Sequence, residues 1–232
     1  MIYSDYTIIN YGLPLLGFAI TLIAQIFINT SYSKYKQIFT QSNQKGSEVA
    51  RKILDKHDLH DIKVVEVSGN LTDHYDPSSK VVRLSSDIYY GTSIASVSVA
   101  AHECGHAIQD KVNYTPMQIR SKLVPIVNFS TKIGYLVIAV GLIFNALNLA
   151  TIGLILLLSM LLFQLVTLPV EFDASRRGKI ELKELSILNS GEQRGASTML
   201  KAAAFTYVAG VLSTLLQILR LALIISSRRD QR

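Results

Sequence analysis

Charge is what this chain lacks over most of its apolar length. No Asp, Glu, Lys or Arg occurs from Tyr6 to Ser33, from Ile133 to Val170, or from Ala202 to Leu219. Each run is long enough to cross a bilayer, and the middle one can do so twice. Cysteine is nearly absent too. Cys104 stands alone, which rules out an intrachain disulfide and permits a reducing compartment. With 17 % charged and 49 % hydrophobic residues in 232, and a mean hydropathy of +0.31, disorder, collagen and a disulfide scaffold are excluded, and an ordinary soluble domain is too polar a class. No internal repeat or low-complexity tract is present. In such a chain a net charge of +6 belongs to cytoplasmic loops before it belongs to a nucleic-acid surface, so no nucleic-acid partner is expected.

The apolar runs divide the chain. Residues 1–30 form an N-terminal transmembrane anchor, apolar over Ile8 to Asn29, with Asp5 but no Lys or Arg ahead of it, unlike a secretory signal. Lys34, Lys36, Lys45, Arg51 and Lys52 follow, so the positive-inside rule sets the N-terminus outside and the next segment in the cytoplasm. Residues 31–122 carry scattered charge and short elements. They predict a soluble domain with a helix over Glu48 to Lys56 capped by Ser47, whose Val49, Ala50, Ile53 and Leu54 share a face. Strands are expected over Ile62 to Val67 and Lys80 to Leu84, with a turn at Asp76 to Ser79, and a helix from Thr92 or Ser93 to about Asp110. Residues 123–170 predict a transmembrane helical hairpin with a short outer turn near Asn145 and Asn148, and with Lys132 about two turns into its first arm. Residues 171–201, rich in Arg and Lys, return to the cytoplasmic side. Residues 202–232 are either a fourth span or an interfacial helix, because spanning would leave Arg228, Arg229 and Arg232 outside, against the rule.

Within the helix predicted before the hairpin stands His102, Glu103, Cys104, Gly105, His106, an HExxH pattern. At 3.6 residues per turn the two imidazoles lie on one face and reach one metal, with Glu103 beside its open side. Histidines that merely satisfy neighbours are the plainer alternative. A catalytic zinc takes three protein ligands and keeps a fourth place for water. The metzincin continuation fails, since Gln109 stands where Gly is needed and Val112 where His is needed. The third ligand therefore lies elsewhere. Glu171 is the first carboxylate met when the chain returns to the cytoplasmic side, at the start of a helix whose Ala174, Ser175 and Gly178 allow another helix close. Asp173 stays open as a partner behind the ligands or as a substitute ligand.

The segments AHECGHAIQ, NLTDHYDPSSKVVRLSSDIYYG and LPVEFDASRRG resemble the bacterial membrane-bound neutral zinc metallopeptidases of YugP type, over about Ser47 to Arg177 and more weakly beyond. The resemblance implies an integral membrane zinc protease in a bacterial plasma membrane. The arrangement is also similar to the wider membrane gluzincins, in which a Glu opens a helix and an Asp four residues on orients a histidine. Here that position is Ser175. The fold class expected is thus an α-helical multi-pass membrane protein with a small α+β zincin-like (HExxH, gluzincin-type) metalloprotease domain at the membrane surface.

The expected chemistry is hydrolysis of peptide bonds in membrane proteins or peptides at the cytoplasmic face. Zn²⁺ would be held by His102, His106 and Glu171, with Glu103 as the base acting on the zinc-activated water. The strand over Lys80 to Leu84, with Val81, Val82 and Arg83, is expected to pair with an extended substrate along its edge, and His74 is a second substrate-contact candidate against a plain turn. His57 and His60 read as a solvated turn, Arg176 and Arg177 as interfacial charges, and Cys104 as a buried filler. A non-catalytic zinc-binding membrane scaffold or adaptor is the alternative function, disfavoured by Glu103, which a structural site does not need. A channel component, suggested by Lys132 and Arg220, fits less well without a repeat. A homo-oligomer or a membrane-protein partner is compatible with the sequence.

Overall fold

The computed structural model describes residues 7–229. Asp5, part of the topology argument, and Arg232, in the basic tail, lie outside the described residues. The chain forms two compact units. One comprises residues 1–25, 119–168 and 205–232, and the other residues 26–118 and 169–204.

In the first unit the long apolar runs are helices. A π-helical turn at Ile8–Gly12 leads into α1 (Leu13–Lys36), and α5 (Thr115–Ile143), α6 (Leu147–Glu184) and α7 (Ser190–Arg229) follow later in the chain. All four stretches are long and apolar enough to cross a membrane. Their large apolar side chains point outward, with Phe18, Phe129, Leu136 and Ile155 at least 60 % exposed, as lipid-facing residues do. Between α5 and α6 the backbones close on glycines. A Cβ at Gly141 would lie 2.5 Å from the Ala150 nitrogen, and one at Gly153 2.7 Å from the Gly134 carbonyl oxygen. The hairpin turns through Asn145 in the left-handed region, φ 53°.

The fourth apolar segment is part of one uninterrupted helix, and its terminal arginines have partners. Arg228 Nη1 donates to the Leu142 carbonyl at 2.8 Å, and Arg229 Nη2 donates to Asn148 Oδ1 at 3.1 Å and Thr151 Oγ1 at 3.0 Å. Arg228 thus meets the carbonyl end of α5, where the helix dipole favours positive charge, while Arg229 bonds side-chain oxygens in the first turns of α6.

The second unit has an ordinary buried core. Its α2 (Gly46–Lys56) buries Val49, Ala50, Ile53 and Leu54 completely. The helix starts two residues before the sequence suggests: Lys45, not Ser47, is the N-cap, and its backbone N–H donates to Glu48 Oε2 at 3.0 Å. Glu48 is then the third helical residue and its carboxylate accepts from the N-cap backbone, whereas capping at Ser47 would put Ala50, which has no acceptor, in that place.

Three strands follow, β1 (Lys63–Val67), β2 (His74–Asp76) and β3 (Val81–Ser85), in the order β1-β3-β2. β3 is parallel to β1, with Lys63 opposite Val81, and antiparallel to β2, with His74 opposite Arg83. This corrects the expectation that Val81, Val82 and Arg83 offer a free edge. Both edges of their strand are paired, Val82 and Leu84 are fully buried, and the edge strands are β1 and β2, the second of which the sequence did not suggest. The short α3 (Ser86–Tyr89) leads to α4 (Ile94–Lys111), capped by Ser93, whose Oγ accepts from the Ser96 N–H. α4 is buried along most of its length within one core that also takes Ile53, Leu84, Val170 and Leu182.

Candidate metal centre

Helix α4 puts His102 and His106 one turn apart, with ring centroids 4.8 Å from each other and ring planes at 82°. What brings a third ligand to them is the absence of side chains where α4 meets α6. A Cβ at Gly105 would lie 2.4 Å from the Ala174 carbonyl oxygen, and one at Gly178 2.8 Å from the Ala101 carbonyl oxygen, so the backbones touch. Across that contact Glu171 Oε2 lies 3.3 Å from His102 Nε2 and 3.6 Å from His106 Nε2. Ligands about 2.0–2.1 Å from a tetrahedral zinc are spaced by about 3.4 Å. His102, His106 and Glu171 form a group whose ligand atoms all fall within 4.8 Å of one another. The donor set therefore fits zinc.

The other ring nitrogens decide which atoms are available. His106 Nδ1 meets Gln109 Oε1 at 3.0 Å, and the fully buried Gln109 donates through Nε2 to the Val170 carbonyl at 2.8 Å and to Asp173 Oδ2 at 3.0 Å. With its amide nitrogen committed to two acceptors, Gln109 can only accept from His106. The proton sits on Nδ1, and Nε2 presents a lone pair toward Glu171. His102 Nδ1 meets Ser175 Oγ at 3.1 Å, a contact in which the hydroxyl can either donate or accept, and its Nε2 faces Glu171. Ser175, four residues after Glu171, thus makes its contact to the ring with a hydroxyl. Asp173 stands behind His106 through Gln109 and is clamped by Arg176 and by Arg177 Nε at 2.6 Å. It is not among the grouped ligand atoms.

Glu103 is 7 % exposed, and its Oε2 accepts the backbone N–H of Tyr75 at 3.0 Å. Because Tyr75 is the central residue of β2, the strand's outer edge is turned toward the HExxH helix. Burial pushes the Glu103 carboxyl up to about 7; His102 opposes the rise, while Glu171 and Asp73 add to it. β2 is fixed in turn by Asp73, whose carboxylate accepts from Ser85 N at 2.7 Å and Ser85 Oγ at 3.1 Å, and by the Tyr75 hydroxyl, which donates to Asp110 at 2.7 Å. Sequence reasoning missed Gln109, Asp73 and Tyr75 in these roles. Gln109 carried a signal, being three residues after His106 on the same helix face; the Tyr75 contact runs through backbone and left none.

The remaining candidates are engaged elsewhere. His74 Nδ1 bonds to the Thr72 carbonyl at 2.7 Å within its own turn, and Arg83 pairs with Asp76 at 3.2 Å. His57 meets the buried Glu181 at 2.8 Å, whereas His60, 3.0 Å from Asp55, is exposed in its turn. Cys104 is fully buried, which raises its thiol above the ordinary value, and its Sγ lies 3.5 Å from the Ala50 carbonyl. It fills space, as its position on the helix suggests.

Residues 11–226 match the family model described as "Putative neutral zinc metallopeptidase". The chain is similar to the "Putative membrane protease YugP" of Bacillus subtilis (strain 168), 41 % identical over 219 residues, which cover 94 % of this chain and 97 % of that protein. No solved structure matches.

Proposed function

Because the chain belongs to this family of neutral zinc metallopeptidases, we propose that it hydrolyses peptide bonds of membrane proteins or membrane-associated peptides at the cytoplasmic face of the bacterial plasma membrane. The observation that carries the proposal is the convergence of two imidazole Nε2 atoms and one carboxylate oxygen beside a buried carboxylate that is not one of them.

His102, His106 and Glu171 would hold the metal, with Ser175 and Gln109 fixing the ring orientations. When bound, zinc supplies Lewis acidity, which brings the pKa of a coordinated water toward about 7 and polarises the scissile carbonyl. Glu103 takes the proton released when water attacks the carbonyl and later delivers it to the departing amine. The Tyr75 N–H holds that carboxylate in place, and the open edge of β2 is the surface against which an extended substrate would lie. The apolar run of α6 ends at Val170, one residue before the third ligand, which supports a centre close to the lipid headgroups.

The test is cleavage of casein and of a membrane-protein substrate by the purified chain beside Glu103→Gln. Zinc content is expected to stay at wild-type level while the rate falls by about 10²–10⁴-fold. Undiminished cleavage by the variant would end the peptidase proposal, and zinc without cleavage in both proteins would favour the scaffold function.

A further inference from the structure

Within the apolar unit, α1, α5, α6 and α7 enclose a cleft of about 350 Å³. Leu157 and Ile218 close its floor, at 2 % and 9 % exposure, while Phe18 and Tyr135 stand exposed at its mouth, so it opens sideways between α1 and α5. One wall is polar. Ser213, Thr214 and Gln217 reach it from α7, and among the described residues no charged side chain lines it. Hydroxyls in apolar helices ordinarily bond to a carbonyl three or four residues back, as Thr21, Thr151, Ser159 and Thr167 do here. Among the described residues, Ser213, Thr214 and Gln217 take no hydrogen bond. Thr131, Gln164 and Arg220 also hold a buried polar atom without a partner, but none of them lines the cleft. What sets Ser213, Thr214 and Gln217 apart is that they converge on one space with room for a ligand.

Depth along the helices narrows what fills that space. Leu157 lies ten residues after Leu147 and thirteen before Val170, and Gly17, also on the lining, lies nine after Ile8 and twelve before Asn29. At 1.5 Å per residue these positions are about 13–20 Å from either end of their apolar runs. The hydrocarbon core of a bilayer is about 30 Å thick, so the polar groups of lipids stay about 15 Å away at its boundaries. A lipid tail reaches the cleft but offers three polar side chains nothing to bond, and unpaired polar groups are costly in hydrocarbon. The volume admits a side chain and not a whole helix, which is about 10 Å across.

We propose that this cleft receives one neutral polar side chain from a transmembrane helix of another membrane protein, whose backbone stays in the lipid between α1 and α5. Asn and Gln suit the lining best. Each brings a donor and an acceptor on one group, which the Ser213 and Thr214 hydroxyls and the Gln217 amide can both answer, and neither brings a charge that the cleft would have to balance. The site recognises a helix inside the bilayer, so it does not depend on the peptidase reading of the metal centre.

Binding is read by energy transfer in phosphatidylcholine vesicles that hold the full-length chain, labelled through Ala146→Cys in a Cys104→Ser background. The probe is a donor-labelled synthetic helix of about twenty Leu and Ala residues with one central Asn, and its control carries Leu at that place. The Asn helix should bind about three- to tenfold more tightly than the Leu helix. Ser213→Ala/Thr214→Val/Gln217→Leu removes the polar wall and should abolish that preference without lowering the melting midpoint. Thr214→Phe fills the cleft and should do the same, and Gln217→Leu alone, which should reduce the preference, keeps the test decisive if the triple variant does not fold. Equal binding of the two helices by the otherwise wild-type chain, or an Asn preference undiminished in these variants, would overturn the inference. So would loss of the preference when monoolein is added, which would give the cleft to a lipid. Energy transfer between two differently labelled copies of the chain that the triple variant abolishes would make the occupant a second copy, and would overturn it as well.

Discussion

Helix α6 makes two glycine-mediated contacts, one in each unit, and they serve different ends. In the apolar unit Gly141 and Gly153 let α5 and α6 approach until a Cβ would fall within 2.5–2.7 Å of backbone. The gain is packing, in a unit with a small buried cluster of Ile138, Leu157 and Leu221 and many apolar side chains that face outward. In the other unit Gly105 and Gly178 let α4 and α6 approach equally closely, with Cβ clearances of 2.4 and 2.8 Å, but here the same contact carries a carboxylate to two imidazoles. One device gives stability in the first case and chemistry in the second. Changes at the two places should therefore separate folding from metal binding.

The largest effect is expected at the third ligand. Glu171→Ala should lower zinc affinity about a thousandfold or more, because two imidazoles on one helix do not complete a site. Asp173→Ala should keep one zinc per chain with an affinity lowered only about tenfold, since Asp173 acts through Gln109. Zinc titration against a chromophoric chelator measures both. Retention in the first variant with loss in the second would exchange their roles.

Next in size is the comparison of the glycines themselves. Gly105→Val and Gly141→Val both drive a side chain into backbone, and each should cost about 2–4 kcal/mol in stability. Only Gly105→Val should also reduce zinc bound per folded molecule, read by metal analysis of the fraction that survives size exclusion in detergent. An equal loss of zinc from Gly141→Val would show that the metal site depends on the hairpin as much as on the α4–α6 contact.

How far these features were legible in the sequence follows from how local their causes are. His102, Glu103 and His106 are set by helical spacing, and the charge-free runs are set by the bilayer, so both could be read directly. Glu171 needed the further step that a hairpin returns the chain, and the small residues Ala174, Ser175 and Gly178 supplied it. The strand order did not follow, because β2 has three residues, too few for a period-two pattern, and without it β3 looked like an edge. Gln109 appeared only as the residue that breaks a metzincin motif. Its spacing from His106 was a local signal for that contact, but its bonds across to Val170 and Asp173 were not announced by any local pattern.

The two histidines then give a smaller, sharper contrast. His106 leans on a buried amide that is itself held at two points, and His102 on a single hydroxyl. Gln109→Leu should lower zinc affinity about 10–100-fold, and Ser175→Ala less than about tenfold, because a hydroxyl can be replaced by water more easily than a fully buried amide. Ser175→Asp should strengthen zinc binding above wild type, since a carboxylate makes the imidazole a better donor. Competition titrations read all three, and a larger loss for Ser175→Ala than for Gln109→Leu would reverse the ranking.

The smallest effect belongs to the apolar unit, where the polar ties lie at the helix ends. Arg228 and Arg229 bond to Leu142, Asn148 and Thr151 but are exposed, so each bond competes with water. Replacing both by Ala should cost about 1 kcal/mol or less and lower the melting midpoint by a few degrees, with zinc affinity unchanged. The same variant checks topology, because arginines held at the α5–α6 turn would resist the positive-inside tendency if that turn faces outward. Cysteine introduced at Ala146 in a Cys104→Ser background should label from outside intact cells in the wild type and in the Arg228→Ala/Arg229→Ala variant alike, while cysteine at Ser79 should not. Labelling at Ser79 from outside would reverse the orientation and move the metal centre to the other face of the membrane.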